Sequence, residues 1–280
     1  MRKSLCLTFC VGTVLLALGA AARAESRIEK KLKLEPGGRL YLESSGGDVI
    51  VRGGSSSGAQ VVITSKRSDL EDFCEFTFEE EAGGVRIVAR KRALAHWPNH
   101  LNLRFDIQVP ARTRLELRTG GGDIHVAQLE GDCEVQTSGG DVEVADLKGN
   151  LNGKTSGGDF RLRHLGGDVD VETSGGDVRV EEAAGRVDVR TSGGDVDVSF
   201  ARGNARGGHI ETSGGDVRVA LDPSVSLNLD ASAPGGDLVT DLPVKLSGEM
   251  SHSSLHATLG SGGESLRVHT SGGDIYIHGL

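Results

Sequence analysis

Aromatic side chains are scarce in this chain of 280 residues, which has seven Phe, two Tyr and one Trp. The apolar fraction, 37%, is also low, below the usual share of about 45–50% for globular domains. A core made from this composition depends on small branched aliphatic residues, chiefly Val and Leu. Because such residues fit strands better than bulky helical packing, the composition predicts an all-β protein with a thin core.

Cysteine is rare as well: the chain has four, and two of them lie in the first 24 residues. The remaining pair, Cys74 and Cys133, does not have the close spacing of a metal site. Cys133 falls where the next repeat places Leu151, and Cys74 alternates with Phe76 in CEFTF. Both are therefore predicted to be small core residues, in preference to partners in a disulfide.

Long apolar runs are missing after the first 24 residues, where LCLTFCVGTVLLALGAAA follows Arg2 and Lys3. This segment ends in Ala-Arg-Ala, which satisfies the A-x-A rule for cleavage. We therefore predict a secretory signal peptide over residues 1–24 and a mature chain that begins at Glu25; a retained anchor is the alternative. No membrane span is predicted after cleavage.

Positive charge is in deficit. The chain has 31 basic and 40 acidic residues, and removal of residues 1–24 takes away three basic residues and leaves a net charge of −12. Binding to nucleic acid requires a basic surface that displaces counterions from phosphates. The same negative sign opposes adsorption to anionic lipid. Together with the predicted signal peptide, this charge predicts an exported protein (periplasmic, on the cell surface or secreted) with no nucleic-acid partner.

What the chain does have is a repeated turn, T-S-G-G-D. Apolar residues alternate between the turns, as in Val142 and Val144, and this period of two predicts strands. Each unit offers two short strands and two turns. The Asp of the turn recurs in steps of 18 and then 21 residues, with outlying copies at both ends: Asp141, Asp159, Asp177, Asp195, Asp216 and Asp237, then Asp48, Asp123 and Asp274.

Two assemblies fit this unit. In a parallel β-solenoid each unit is one coil, and equivalent strands stack about 4.8 Å apart. In an antiparallel meander each S-G-G-D turn joins a hairpin. The solenoid is favoured, because only one of the two turns in each unit keeps a strict sequence, and it is predicted to be right-handed. The domains are then a signal peptide (1–24), a less regular β region (25–118) containing an exposed loop at 93–100, and the solenoid with its capping strands (119–280).

Stacked coils would place identical corners in columns. Thr137, Thr155 and Thr173 share the inward parity of the preceding valines, so they are predicted to form a threonine column. The glycines are expected to supply backbone angles that other residues resist. A column of like-charged aspartates costs about 1 kcal/mol per neighbour even in water. We therefore expect each carboxylate to accept hydrogen bonds from N–H groups of the turn.

One stretch carries a family resemblance: VPARTRLELRTGGGDIHVAQLEGDCEVQTSGGDVEV, followed by repeated TSGGDV. It resembles the bacterial putative adhesin domain family, which is built from β-strand repeats and has no known biochemical function. The likeness extends from about Leu34 to the C-terminus. It implies the fold and supplies no catalytic residues.

Three kinds of chemical site could occur on such a repeat. Calcium-binding β-rolls also repeat in pairs of nine residues, but their Asp shares a side with the buried residue, whereas Asp141 adjoins inward Val142. A glycan-active enzyme needs opposed carboxylates, whereas the outward residues form a ladder of mixed sign: Glu143, Arg161, Arg179, Asp197 and Arg218. His252 and His256 lack a third metal ligand.

We therefore predict no catalytic, cofactor-binding or metal-binding residue. The predicted function is that of a non-enzymatic exported scaffold, a putative adhesin or envelope protein with an unknown partner. The alternatives are a calcium-stabilised β-roll and a glycan-active β-helix enzyme.

Overall fold

The computed structural model describes residues 26–92, 102–246 and 251–280. The segment predicted as a signal peptide, the cleavage site before Glu25 and the loop predicted at 93–100 lie outside the described residues. The described chain forms 25 strands and one short helix, α1 (Leu70–Phe73). None of its helices is both long and apolar enough to cross a membrane.

The strands are short, most of them five to seven residues. In chain order they are β1 (Ser26–Leu32), β2 (Arg39–Ser44), β3 (Asp48–Gly54), β4 (Ala59–Ser65), β5 (Cys74–Glu81), β6 (Gly84–Lys91), β7 (Arg104–Pro110), β8 (Arg114–Thr119), β9 (Ile124–Leu129), β10 (Cys133–Thr137), β11 (Val142–Leu147), β12 (Leu151–Lys154), β13 (Phe160–Leu165), β14 (Val169–Thr173), β15 (Val178–Ala183), β16 (Val187–Thr191), β17 (Val196–Phe200), β18 (Gly208–Thr212), β19 (Val217–Leu221), β20 (Leu227–Ser232), β21 (Leu238–Thr240), β22 (Lys245–Leu246), β23 (Ser254–Leu259), β24 (Ser265–Thr270) and β25 (Ile275–Gly279).

These strands form two sheets. Sheet A has 12 strands in the order β1-β4-β7-β3-β9-β11-β13-β15-β17-β19-β25-β21. Sheet B has 13 strands in the order β22-β23-β20-β24-β18-β16-β14-β12-β10-β8-β2-β6-β5. In the central part the chain alternates between the sheets, so each coil gives one strand to each.

The central coils stack in parallel, one repeat apart. Cys133 of β10 pairs with Leu151 of β12, which pairs with Val169 of β14. Strands β11, β13 and β15 pair in the same way in sheet A. The predicted parallel β-solenoid is confirmed, and the antiparallel meander is wrong. The right-handed sense stays a prediction.

One hydrophobic core lies between the sheets and includes the inward residue of nearly every strand. Cys133 and Cys74 are both part of it, with 2% and 1% of their surfaces exposed. The core also balances volume locally. Gly153 takes a position that valine occupies in the next coil, and a Cβ atom there would lie 2.7 Å from Cε1 of Phe160.

The two ends of the solenoid depart from chain order. At the N-terminal end, β2 lies between β6 and β8 in sheet B, and β3 lies between β7 and β9 in sheet A. At the C-terminal end, β24 lies between β18 and β20, and β25 lies between β19 and β21. The earliest and latest regular coils are therefore internal, and other segments cover them.

The same order applies to the repeated turns. The copies at Asp216 and Asp237 follow each other in the sequence, but the copy at Asp274 lies between them: the Asp274 N–H donates to Asp216, and the Asp237 N–H donates to Asp274. The domain boundary predicted at 118–119 stays a prediction. Strands β2 and β3, which precede it, pair in parallel with β8 and β9.

Candidate functional site

The first corner of each coil is the T-S-G-G-D turn, and hydrogen bonds join it to the preceding coil. The buried Thr173 hydroxyl donates to the carbonyl oxygen of Gly158 at 3.0 Å and accepts from the N–H of Gly176 at 3.3 Å. The Asp177 N–H donates to Oδ1 of Asp159 at 2.9 Å. The same arrangement recurs in neighbouring coils, so the expected threonine column and N–H···carboxylate bonds are both present.

The two glycines of this corner have different roles. A Cβ atom on the second glycine, Gly176, would lie 1.9 Å from the carbonyl oxygen of Gly158, whereas one on the first, Gly175, would have Ser156 O at 3.9 Å as its nearest neighbour. Neither glycine has a left-handed φ. The expectation that the glycines supply unusual backbone angles is therefore wrong for the regular coils, whereas in the outlying copies Gly47 and Gly122 do have left-handed φ values of 105° and 120°. The second is required because the coils approach so closely.

Arginines partly neutralise the aspartate column. Arg161 bonds Asp141 at 2.7 Å and Asp159 at 2.9 Å. Its hydrogen bond, together with that from the Asp159 N–H, holds the pKa of Asp141 below its usual range. With Oδ1 bound to backbone and Oδ2 facing arginine, this part of the column serves to join coils. No group of three or more potential metal-ligating side chains occurs in the described ranges, and the calcium alternative stays untested.

The outward ladder of mixed sign lies on sheet A, as predicted. Arg179 bonds Glu181 at 2.7 Å, and Glu143 lies 3.1 Å from His125 and 3.2 Å from Arg163. Among the described residues, hydrogen bonds lower the pKa of five carboxyl groups: Asp69, Glu130, Asp141, Asp222 and Asp274. A general acid for glycan cleavage would need the opposite shift.

The fold does not bring together the two histidines of SHSSLH or the two cysteines. His256 lies 3.1 Å from Asp230 across the β20–β23 pair, and His252 is exposed before β23. Cys74 and Cys133 lie on β5 and β10, four strand spacings apart in sheet B, which is roughly 19 Å and far beyond the reach of a disulfide. Burial raises the pKa of Cys133 to about 12, so its thiol is unreactive.

A groove lies elsewhere, on the outer face of sheet B, with a volume of about 590 Å³. It crosses β8, β10, β12, β14 and β16. Two columns of polar side chains line it, one at the second corner and one two residues further along each strand. The corner column is Arg114, Asp132, Asn150, Asp168 and Arg186, and the strand column is Glu116, Glu134, Asn152, Asp170 and Asp188.

The second corner, whose sequence varies from coil to coil, contains a hydrogen-bonded ladder of its own. The N–H of Asn150 donates to Oδ1 of Asp132 at 2.9 Å, and the N–H of Asp168 donates to Oδ1 of Asn150 at 2.9 Å. Behind it, a Cβ atom on Gly167 would lie 2.4 Å from the carbonyl oxygen of Gly149. The available signal was a Gly followed by Asp or Asn at a constant step of one coil.

Charges along the groove are largely compensated. Glu116 is buried, with 8% of its surface exposed, and it forms salt bridges with Arg39 and with Arg118, the latter at 2.9 Å. Four further acidic residues have an arginine within 4.0 Å: Glu134, Asp168, Asp170 and Asp188. The centre holds two amides, Asn150 and Asn152, and among the described residues the Asn150 Nδ2 and the whole Asn152 amide have no protein partner.

The fold and these surfaces define a class of protein: a two-sheet parallel β-solenoid whose outer faces are polar and charge-compensated. Within that class, the chain belongs to the family described as Toastrack DUF4097, whose model matches residues 39–278.

Solved structures of similar fold are only distantly related to this chain in sequence. A protein from Bacteroides fragilis NCTC 9343, described as a putative adhesin, is 13% identical with a TM-score of 0.53, and the match covers 91% of this chain and 97% of that one.

A putative cell adhesion protein from Clostridium sporogenes ATCC 15579 is 12% identical, with a TM-score of 0.33 and coverage of 91% and 100%. A putative lipid binding protein from Parabacteroides distasonis ATCC 8503 is 13% identical, with a TM-score of 0.39 and coverage of 91% and 96%. No curated protein matches the chain.

Proposed function

We propose that this protein is an exported, non-enzymatic scaffold that acts in adhesion or in contacts of the cell envelope. The observation that carries the proposal is the groove on sheet B, in which ten polar side chains stand on stacked strands at a constant step. Because backbone and side-chain ladders join the coils at both corners, this surface is preorganised, and binding would cost little ordering of the protein.

Two further observations support the proposal. The similar Bacteroides structure is described as a putative adhesin, and residues 1–24 have the pattern of a signal peptide. We place the mature protein in the periplasm, on the cell surface or in the medium. Its net negative charge opposes nucleic acid and anionic lipid as partners.

Photo-crosslinking in intact cells tests the proposal. A photoreactive amino acid placed at Asn152, in the groove, is expected to capture an envelope or extracellular component. The matched control carries it at Gln108, an exposed carboxamide on sheet A. Equal crosslinks from both positions, or none from either, would contradict a binding role for the groove.

Export is tested separately by mass spectrometry of the cell fractions. We expect a mature form that begins at Glu25 in the envelope or the medium. An intact form that retains Met1 and remains inside the cell would overturn the export proposal.

A further inference from the structure

The groove on sheet B also indicates the class of ligand, which deepens the proposed adhesive function and rests on it. Its polar side chains form a lattice. Neighbouring coils are about 4.8 Å apart, and the two columns are about 6.6 Å apart along the strand, two residues of extended chain. Over five coils the lattice is roughly 19 Å long. A ligand that engages it must be extended and must repeat at nearly the coil spacing.

The charge distribution narrows the ligand further. Five of the six acidic side chains in the groove already have an arginine partner, and Asp132 is the exception. A cationic ligand could bind these carboxylates only by displacing their arginine partners. An anionic ligand would be repelled by several carboxylates. The groove therefore selects its ligand by hydrogen bonds more than by net charge.

The hydrogen-bonding groups that remain free are of both kinds. The Asn150 and Asn152 amides offer N–H donors, Asn152 also offers a carbonyl oxygen, and Asp132 offers its Oδ2 as an acceptor. Hydroxyl groups act as donor and acceptor at once, so a row of hydroxyls can satisfy this mixed set. An extended chain of equatorially linked pyranose rings carries such hydroxyls and advances by nearly the coil spacing with each ring.

We infer that the groove binds a neutral, extended β-linked glycan, with about one sugar ring to each coil. Asn150 and Asn152 of the central coil hold the middle ring. On one side, Oδ2 of Asp132 and Oε2 of Glu134 accept hydrogen bonds from hydroxyls of the flanking ring. On the other side, Oδ2 of Asp168 and Oδ2 of Asp170 do so, because the arginine contacts of Glu134, Asp168 and Asp170 use the other oxygen of each carboxylate. Bonds to the second-corner ladder keep Asn150 in place, because its Oδ1 accepts from the Asp168 N–H at 2.9 Å.

Isothermal titration of the full mature chain with cellohexaose and chitohexaose tests this inference. We expect one of these neutral hexamers to bind, and Asn152→Ala to weaken it by about tenfold, since the variant removes one to two hydrogen bonds. Gln108→Ala removes the same carboxamide from an exposed strand position on sheet A, and it should leave the affinity unchanged. Asn152 is exposed and has no partner to lose, so its variant should melt like the parent.

Fully deacetylated chitosan hexamer and hexagalacturonate serve as the cationic and anionic probes. Tighter binding of either charged probe than of the neutral hexamers would overturn the inference, as would a failure of both neutral hexamers to bind. Equal loss of affinity in Asn152→Ala and Gln108→Ala would place binding outside the groove. If the glycans fail while photo-crosslinks still form from position 152, the ligand class is wrong and the adhesive function stands.

Discussion

A single methyl group added at the first corner should separate two stacked coils. In Gly176→Ala the new Cβ atom would lie 1.9 Å from the Gly158 carbonyl oxygen and 2.4 Å from its carbonyl carbon. Because both of these atoms are backbone, no side-chain rotation relieves the overlap. Reaching an ordinary contact requires the coils to move apart by about 1.5 Å.

That movement would break the hydrogen bonds that join the two coils at this corner. They are the bond from the Thr173 hydroxyl to Gly158 at 3.0 Å, the bond from the Asp177 N–H to the Asp159 carboxylate at 2.9 Å, and the bond from the Phe160 N–H to the Asp177 carbonyl at 2.9 Å. Three bonds of about 0.5–1.5 kcal/mol each give an expected loss of roughly 2–4 kcal/mol in the free energy of unfolding.

The adjacent residue provides a matched control. Gly175→Ala makes the same chemical change in the same turn, but its Cβ atom would meet nothing closer than 3.9 Å. Its effect should lie within about 0.5 kcal/mol of zero, or be slightly stabilising, because alanine restricts the unfolded chain. The neighbouring coil offers an independent repeat of the experiment in Gly158 and Gly157, whose added Cβ atoms would lie 1.9 Å from an oxygen and in open space, respectively.

The assay is guanidinium denaturation followed by circular dichroism, with the midpoint compared at equal slope. We expect the midpoint of Gly176→Ala to fall well below that of the parent and that of Gly175→Ala to stay near it. Equal midpoints for the two variants would refute the close approach of backbone as the reason for the second glycine. So would a larger loss in Gly175→Ala.

Three further results are expected. Deletion of one coil, residues 173–190, should leave a folded protein less stable by about 1–3 kcal/mol. Deletion of residues 173–181 should abolish cooperative melting, because every later strand would then fall in the wrong sheet. Similar melting curves for the two deletions would contradict the stacking. Cys133→Ser should lower the free energy of unfolding by about 1–3 kcal/mol because it buries a hydroxyl, while Cys133→Val should melt like the parent. Equal melting temperatures for these two variants would argue against the core role of Cys133. Because its pKa is depressed in the folded state, Asp141 stabilises the fold at pH values above its unfolded pKa of about 3.9, and this contribution disappears as the pH falls through the folded pKa. The difference in melting temperature between the parent and Asp141→Asn should therefore shrink below about pH 4. A constant difference down to pH 2 would contradict this expectation.

The regular part of the fold could be predicted from the sequence, because its causes are local and repeated. Alternation of valines determines which side chains face inward, and the constant step of 18 residues places the same residue over itself in each coil. The burial of Cys133 in the core follows from this register alone. The hydrogen bonding of the column formed by Asp141 and its equivalents was predictable for a similar reason. Carboxylates stacked so closely need hydrogen-bond donors, and the backbone N–H groups of the turns are the nearest donors.

The candidate groove could not be predicted in the same way. The sequence shows that Asp132, Asn150 and Asp168 recur at one step, but their turns differ in length and composition from the strict corner. Whether such residues form a ladder depends on how closely the second corners stack, which is a property of the assembled coils. The recess between the two side-chain columns likewise exists only once five strands lie side by side.

Backbone conformation at the end of the sheet A strands was also decided by tertiary structure. Gln128, Asp146, His164 and Glu182 adopt left-handed φ values of 61°, 56°, 55° and 56°. None of them is glycine, and the four differ in type: Asp146 and His164 belong to types that adopt this conformation more readily than most, whereas Gln128 and Glu182 do not. Local preference therefore does not account for the whole column, and the bend follows the stacking, because each coil turns where the coil beneath it turns.

By itself the sequence determined the strands, their inward faces and the hydrogen-bonding role of the corner aspartates, since each depends on a pattern within one or two units, and it favoured parallel stacking over the meander. Only the tertiary structure decided the order of the end coils, the reason for the second glycine and the position of the groove. The turn that ends at Asp274 is T-S-G-G-D and supplies Thr270, whose hydroxyl donates to the Gly215 carbonyl oxygen at 2.8 Å, whereas the turn that ends at Asp237 is A-P-G-G-D and has no such hydroxyl. Chain order nevertheless puts Asp237 first, and only the folded structure shows Asp274 bonded to Asp216. The choice depends on which segments, among them the antiparallel β22 and β23, can cover the exposed end of both sheets.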